Sequence, residues 1–200
     1  WDTTNWKWRV GSDTGDFLTG FGVLQGVLFL FKQNSVRYFI TDGSKTEWIM
    51  GDPITTKGAI SRFTIDNASL RGKPVLMYAA KDGIYAFDGL NSVCFSDEDI
   101  DPIFSSDTYT YRLNKAYAST CVGKVHNNKY YFSYPSGTST SPDRTIVLDL
   151  VKGGWHERDY GVRCLCEWRG SGDTQQLYSG LPATGYVVQE ETGNDDFDTD

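Results

Sequence analysis

An all-β fold assembled from repeated four-stranded antiparallel sheets is what this sequence predicts, on three observations. Aromatic residues make up 14% of the 200 positions, with six Trp, twelve Tyr and eleven Phe, and such side chains favour pleated, half-buried surfaces. Twenty-one glycines supply the punctuation that turns need. A single pattern of strand, turn and returning strand also recurs four times along the chain.

The first hairpin reads GVLFLF from Gly26, turns at Lys32-Gln33-Asn34-Ser35 and returns as VRYFI. The second reads PVLMYA from Pro74, turns at Lys81-Asp82-Gly83 and returns as IYAFDG. The third reads KYYFSY from Lys129, loops from Pro135 to Asp143 and returns as TIVLDL. The fourth reads QQLYSG from Gln175, passes Leu181-Pro182-Ala183-Thr184 and returns as GYVVQE. From Gly26 to Pro74 is 48 residues, from Pro74 to Lys129 is 55, and from Lys129 to Gln175 is 46. A repeat of roughly 40–50 residues is the length of one propeller blade.

Each hairpin has a strand-like stretch before it: LTGFGVL at Leu18, AISRFTI at Ala59, STCVGKV at Ser119 and VRCLCEW at Val162. Three have another after it: TEWIM at Thr46, SVCFS at Ser92 and GGWHERD at Gly153. Turn chemistry agrees, since Asp82-Gly83 is a hairpin signal and Asn127-Asn128 can supply two residues at positive φ. The unit is therefore four antiparallel strands, with the last missing from the fourth copy. The expected fold is a single all-β domain over 1–200, a β-propeller of about four visible blades or part of a larger one. The blades fall at about 16–51, 58–97, 117–159 and 161–191, with an insertion at 97–116.

A small twisted sheet has two faces and cannot bury both alone. Copies stacked around an axis cover one another and leave only short edges. GVLFLF and TIVLDL are nearly continuous apolar runs, whereas a sheet with one wet face would alternate. A β-sandwich also has many short strands but predicts no recurrence near 50 residues. Four blades is the low end for closure. Either a strand around Trp6 to Val10 completes the last blade, or further blades lie beyond Asp200. The insertion, SDEDIDPIFSSDTYTYRLNK from Ser96 to Lys115, breaks the rhythm. Ser96 with Asp97 and Glu98 resembles a helix start, which predicts a short helical turn there; the segment is either a plain surface loop or a docking element for a neighbour.

Composition narrows the function. A net charge of −7 and a pI near 4.8 argue against a main role in gripping nucleic acid, which needs a basic surface. No stretch approaches the roughly 20 apolar residues that cross a bilayer, and the opening residues lack the apolar run of a signal peptide. Cys94, Cys121, Cys164 and Cys166 form no paired C-x-x-C knuckle, so reduced thiols packed in a core are favoured over zinc or disulfides. Cys164 and Cys166, two apart on a strand, share one face. His126 and His156 lie in no metal-binding or nucleophile spacing and read as structural or solvent-exposed.

Other chemistry is thin. Gly20-Phe21-Gly22 is no phosphate loop, because no Lys-Ser/Thr follows and its setting is a strand. Ser12-Asp13-Thr14-Gly15 begins a sialidase-type box whose Trp is absent. Asp195, Asp196, Asp198 and Asp200 read as a solvated acidic tail ahead of a calcium loop. Carboxylates are numerous enough to keep a paired-acid glycosidase in view, and Trp48, Trp155 and Trp168 are candidates for stacking on sugars. Trp-Asp dipeptides at blade ends, the mark of many cellular interaction propellers, are missing. No catalytic residue, cofactor or metal is expected.

The run LTGFGVLQGVLFLFKQNSVRYFI, Leu18 to Ile40, resembles a recurring line in phage virion propellers, "G-l-x-x-x-x-G-x-L-x-v-F-K-x-x-S". The likeness continues through Gly58-Ala59-Ile60-Ser61 and VLMYAAKDGIYAFDG to KYYFSYP with TIVLDLVKGGWHERD. It ends at LYSGLPATGYVVQEETG, and so covers most of Leu18 to Gly193. The family includes the tail nozzle and the head-completion, DNA-stabilising proteins of short-tailed phages. The resemblance implies a non-enzymatic structural component of the tail or head–tail connector, part of a homo-oligomeric ring around the DNA channel. Its implied partners are portal, adaptor and tail proteins, with at most non-specific proximity to DNA, no membrane span, and a place in the virion. The chain is expected to be shorter than a full member, with oligomerisation parts missing. A carbohydrate-active propeller, hydrolase or sugar-binding module, is the alternative.

Overall fold

A computed structural model describes residues 15–40, 48–96, 100–170, 174–182 and 184–191. The architecture is all-β, in four antiparallel sheets whose strands follow one another in simple up-and-down order. The first sheet holds β1 (Leu18–Leu24), β2 (Val27–Lys32), β3 (Val36–Ile40) and β4 (Ile49–Thr55). The second holds β5 (Asp66–Leu70), β6 (Lys73–Ala80), β7 (Gly83–Phe87) and β8 (Ser92–Cys94). The third holds β9 (Val122–His126), β10 (Lys129–Tyr134), β11 (Arg144–Asp149) and β12 (Trp155–Arg158). Among the described residues the fourth has three strands, β13 (Cys164–Arg169), β14 (Gln175–Gly180) and β15 (Val187–Gln189). Each sheet is open, and none closes or curls on itself.

The first two strands of three sheets are joined by one device. Gln25-Gly26, Arg71-Gly72 and Asn127-Asn128 each form a two-residue loop with both φ angles positive, between 46° and 81°. Such a loop twists in the same sense as the strands it connects. Counting from that loop, odd and even positions of the second strand take opposite faces. Phe29 and Phe31 of β2 meet Leu76, Tyr78 and Ala80 of β6 in one core. Val75, Met77 and Ala79, on the other face of β6, meet Tyr130, Phe132 and Tyr134 of β10 in a second. Tyr131 of β10 and Val147 of β11 then meet Leu177 of β14 in a third. In the three sheets that share this loop, odd positions thus face the following sheet, and in the second and third the even positions face the preceding one. The second and third sheets are buried on both faces, which is why their strands read as unbroken apolar runs.

Backbone bonds hold the joints. After β4 the chain crosses to the second sheet through Gly58 and Ala59, where Ala59 N–H donates to Lys32 O at 3.0 Å and Ile60 N–H to Ala79 O at 2.9 Å. After β12 it crosses through Gly161 and Val162, whose N–H donates to Ser133 Oγ at 2.8 Å. A Cβ on Gly58 would lie 2.0 Å from Lys32 O, and one on Gly161 2.2 Å from Asp143 N. Both glycines are required by close backbone approach.

Several sequence expectations shift. AISRFTI is not a strand: Ser61 Oγ accepts Phe63 N–H at 3.3 Å and caps a 3-10 turn over Arg62–Thr64, so β5 starts only at Asp66. The end of TEWIM belongs to β4, which runs from Ile49 to Thr55 through Pro53, an edge strand that tolerates a proline, while Thr46 and Glu47 lie outside the described residues. The Asp82-Gly83 hairpin forms, but its loop is Lys81-Asp82 without positive φ. Gly83 instead makes room, since a Cβ there would sit 2.4 Å from Ser96 Oγ. That hydroxyl accepts Ile84 N–H at 3.0 Å. The expected helical turn is α1 (Asp101–Ser105), opened by Pro102 in its first turn. The strand expected at Trp6 to Val10 lies outside the described residues, as do Asp97, Glu98, Ser12 to Thr14 and the aspartates from Asp195.

Candidate functional site

The insertion after the second sheet shapes a hollow against the third sheet. Ile103, Phe104 and Leu113 are buried in the core between the second and third sheets. Phe104 stacks on Phe132 with centroids 6.1 Å apart. Leu113 N–H donates to Ile103 O at 2.7 Å, and Asn114 N–H to Pro135 O at 2.8 Å, which pins the insertion to the loop after β10. A cleft of about 410 Å³ remains between α1 and the outer strands of the third sheet, lined by Ile100, Pro102, Ile103, Tyr109, Ile146, Trp155, His156 and Glu157. Burial, then the negative charge of Glu157, pushes the Tyr109 phenol up, so it stays a hydrogen-bonding hydroxyl at neutral pH. Aromatic walls beside one carboxylate and one imidazole suit a small ligand with a flat apolar face and hydroxyl groups. Among the described residues Glu157 is the one acid lining the cleft.

A second cluster joins the first strands of three sheets. Lys124 Nζ lies 3.0 Å from Asp66 Oδ2 on β5 and 3.8 Å from Glu167 Oε2 on β13. Val125 N–H donates to Asp66 Oδ2 at 2.8 Å. The buried His126 pairs through Nδ1 with Glu167 Oε1 at 2.8 Å, and Gln175 Nε2 donates to Glu167 Oε2 at 2.9 Å. Nearby, Tyr130 O–H reaches across to Thr64 O at 2.7 Å, over Gly123, which leaves space for the phenol. Outward along the same joint, Arg158 and Tyr160 bind the buried Glu190, while Lys129 and Tyr131 bind Glu191. Burial opposes ionisation of Glu191, but the hydrogen bonds from Lys129 and Tyr131 outweigh it and hold the carboxyl below its usual range. These charges are spent on one another: they fasten sheets together.

Residues singled out in the sequence part company here. His126 is buried in the sheet joint, whereas His156 is exposed at the cleft. Trp155 lines the cleft, Trp48 packs edge-on against Phe39, and Trp168 is exposed with its edge toward Tyr178. All four cysteines are free thiols. Cys121 is buried, and burial pushes its thiol up. Cys164 and Cys166 share one face as expected, but that face is exposed, which corrects their placement in a core. Among the described residues no three His, Cys, Asp or Glu side chains gather into a metal site. Tyr109 and Glu157 escaped the sequence reading, because only the folding of the insertion onto β12 brings them together.

No protein-family model matches the chain, and no curated protein matches it. Among solved structures, the computationally designed protein Ika4 is similar over 88% of this chain and 92% of its own, at 12% identity and a TM-score of 0.46, too loose a likeness to carry an argument.

Proposed function

We propose that the chain is a non-enzymatic structural component of a phage virion, in the tail nozzle or head–tail connector, and that its four sheets are blades of a β-propeller. The observation that carries the reading is the reuse of one sheet plan, each copy covering the next. The first strands also touch in sequence, β1 with β5, β5 with β9 and β9 with β13, as inner strands do when blades share an axis. The ordered resemblance from Leu18 to Gly193 adds the virion setting. The role is mechanical: sheets locked by apolar cores and buried ion pairs form a stiff wall in a ring around DNA. A net charge of −7 keeps such a wall from holding passing phosphates. Mass spectrometry of purified particles, with reconstruction of the tail, tests this. The protein is expected in the particles at a fixed copy number near the channel; its absence from them overturns the reading.

A carbohydrate-binding propeller is the second reading, favoured by the cleft of Tyr109, Trp155 and Glu157. On that reading Trp155→Ala abolishes retention of the chain on an immobilised glycan. Failure of the unaltered protein to bind any member of a broad glycan array excludes it.

A further inference from the structure

A smaller hollow, of about 240 Å³, lies where the loop between β2 and β3, the loop between β6 and β7 and the return of the insertion toward β9 come together. The buried Ile60 and Leu113 line it, with Gln33, Lys81, Lys115 and Ser119 as its polar groups. Among the described residues no carboxylate lines it, and neither lysine has an ion-pair partner. Two acids close by are engaged elsewhere. Asp82, next to Lys81 in the chain, pairs with Lys57. Asp16 accepts Asn34 N–H and Ser35 O–H, each at 2.7 Å, and lies 3.7 Å from the buried Lys32 Nζ. Lys81 is held instead by a neutral acceptor: its Nζ donates to Asn34 Oδ1 at 3.0 Å, while Asn34 Nδ2 donates to Asp16 Oδ1 at 3.3 Å. An amide oxygen aims an ammonium without cancelling its charge, and it leaves two of the three N–H donors for another acceptor.

We propose that this hollow binds a compact, doubly charged oxyanion of the phosphate type, as the free ion or as a terminal monoester. Two ammonium groups match a dianion, whereas a single carboxylate leaves one charge over. Tetrahedral oxygens accept from several directions at once, which suits donors arriving from three separate segments: Gln33, Lys81, and Lys115 with Ser119. Lysine meets phosphate as a point charge and needs no planar fork. The volume falls below the roughly 300–1,000 Å³ of pockets that take drug-sized ligands, which favours a small ion. Bound there, the anion ties the loops of the first two sheets to the insertion. The site stands independently of the virion reading and of the cleft beside Trp155.

Calorimetric titration of the chain with inorganic phosphate, at about pH 8 and constant ionic strength, tests this. One saturable site per chain is expected. Lys81→Ala and Lys115→Ala are each expected to weaken it about tenfold, as loss of a charged hydrogen bond does. Lys152→Ala, at an exposed lysine in the turn between β11 and β12, is expected to leave it unchanged. Backbone amide resonances of residues 115–119 in the unaltered chain are expected to shift with the same affinity, a readout that needs no variant. Adenosine 5′-monophosphate in a second titration separates the two sources: competition with phosphate admits monoesters, and its absence limits the site to the free ion. Heat without saturation up to about 10 mM phosphate overturns the inference. So does saturable binding that either Lys81→Ala or Lys115→Ala leaves intact, or one that shifts amides elsewhere and not at 115–119.

Discussion

A methyl group on Gly161 would lie 2.2 Å from both Asp143 N and Pro142 C, and one on Gly58 2.0 Å from Lys32 O. Neither glycine has a positive φ, so contact alone excludes a side chain. Both sit where the chain leaves one sheet for the next, against the loop between the second and third strands of the sheet just completed. Gly161→Ala is expected to cost about 3 kcal/mol, at the upper end of overpacking penalties, read as a lower urea midpoint with unchanged slope. Gly154→Ala, where a Cβ meets nothing within 4 Å, serves as the control. The importance of Gly58 was half legible, because Gly58-Ala59-Ile60-Ser61 belongs to the stretches that carry the resemblance. That of Gly161 was not, since no pattern in YGVRC shows that a loop ending at Asp143 folds against it. Asp88 and Asp149 make a similar pair: backbone N–H groups of Asn91 and Leu90, and of Lys152 and Val151, hold the two carboxyls below their usual range. Each closes the turn that follows its sheet's third strand.

Among the elements, the second and third strands were the most legible. Their apolar runs have to be strands of a sheet buried on both faces, and KYYFSY and TIVLDL appear as β10 and β11 nearly residue for residue. First and fourth strands were read less well, because short polar stretches at a sheet's edge carry weak periodicity. AISRFTI alternates like a strand, yet one serine oxygen captures a nearby N–H and curls the segment. Phe132 shows what the central strands contribute: it is fully buried and stacks on Phe104 and Tyr134. Phe132→Ala is expected to cost about 3–5 kcal/mol, measured by denaturant unfolding. Phe21→Ala, at an exposed position of β1, is expected to stay within about 0.5 kcal/mol of the unaltered chain, as surface substitutions do.

For the whole molecule, the sequence revealed a count and a repeat but not how the copies meet. Repetition follows from hairpins spaced about 50 residues apart, whereas the joints depend on partners far apart in the chain. Asp66, Lys124 and Glu167 look like ordinary surface charges until the first strands of three sheets stand side by side. The cleft beside Trp155 was hidden for the same reason, because its wall comes from an insertion without a repeat partner. Net charge, by contrast, was open to reading from the start and is unaffected by folding.

The odd–even rule carries a consequence for how this chain can change over generations. Adding or deleting one residue inside a second strand reverses the parity of every position beyond it and turns that sheet's neighbours-to-be inside out. Length variation is therefore confined to places where parity is not transmitted, beyond the ladder's ends. The segment carrying α1, the one departure from the repeat's rhythm, sits in such a place, between β8 and β9.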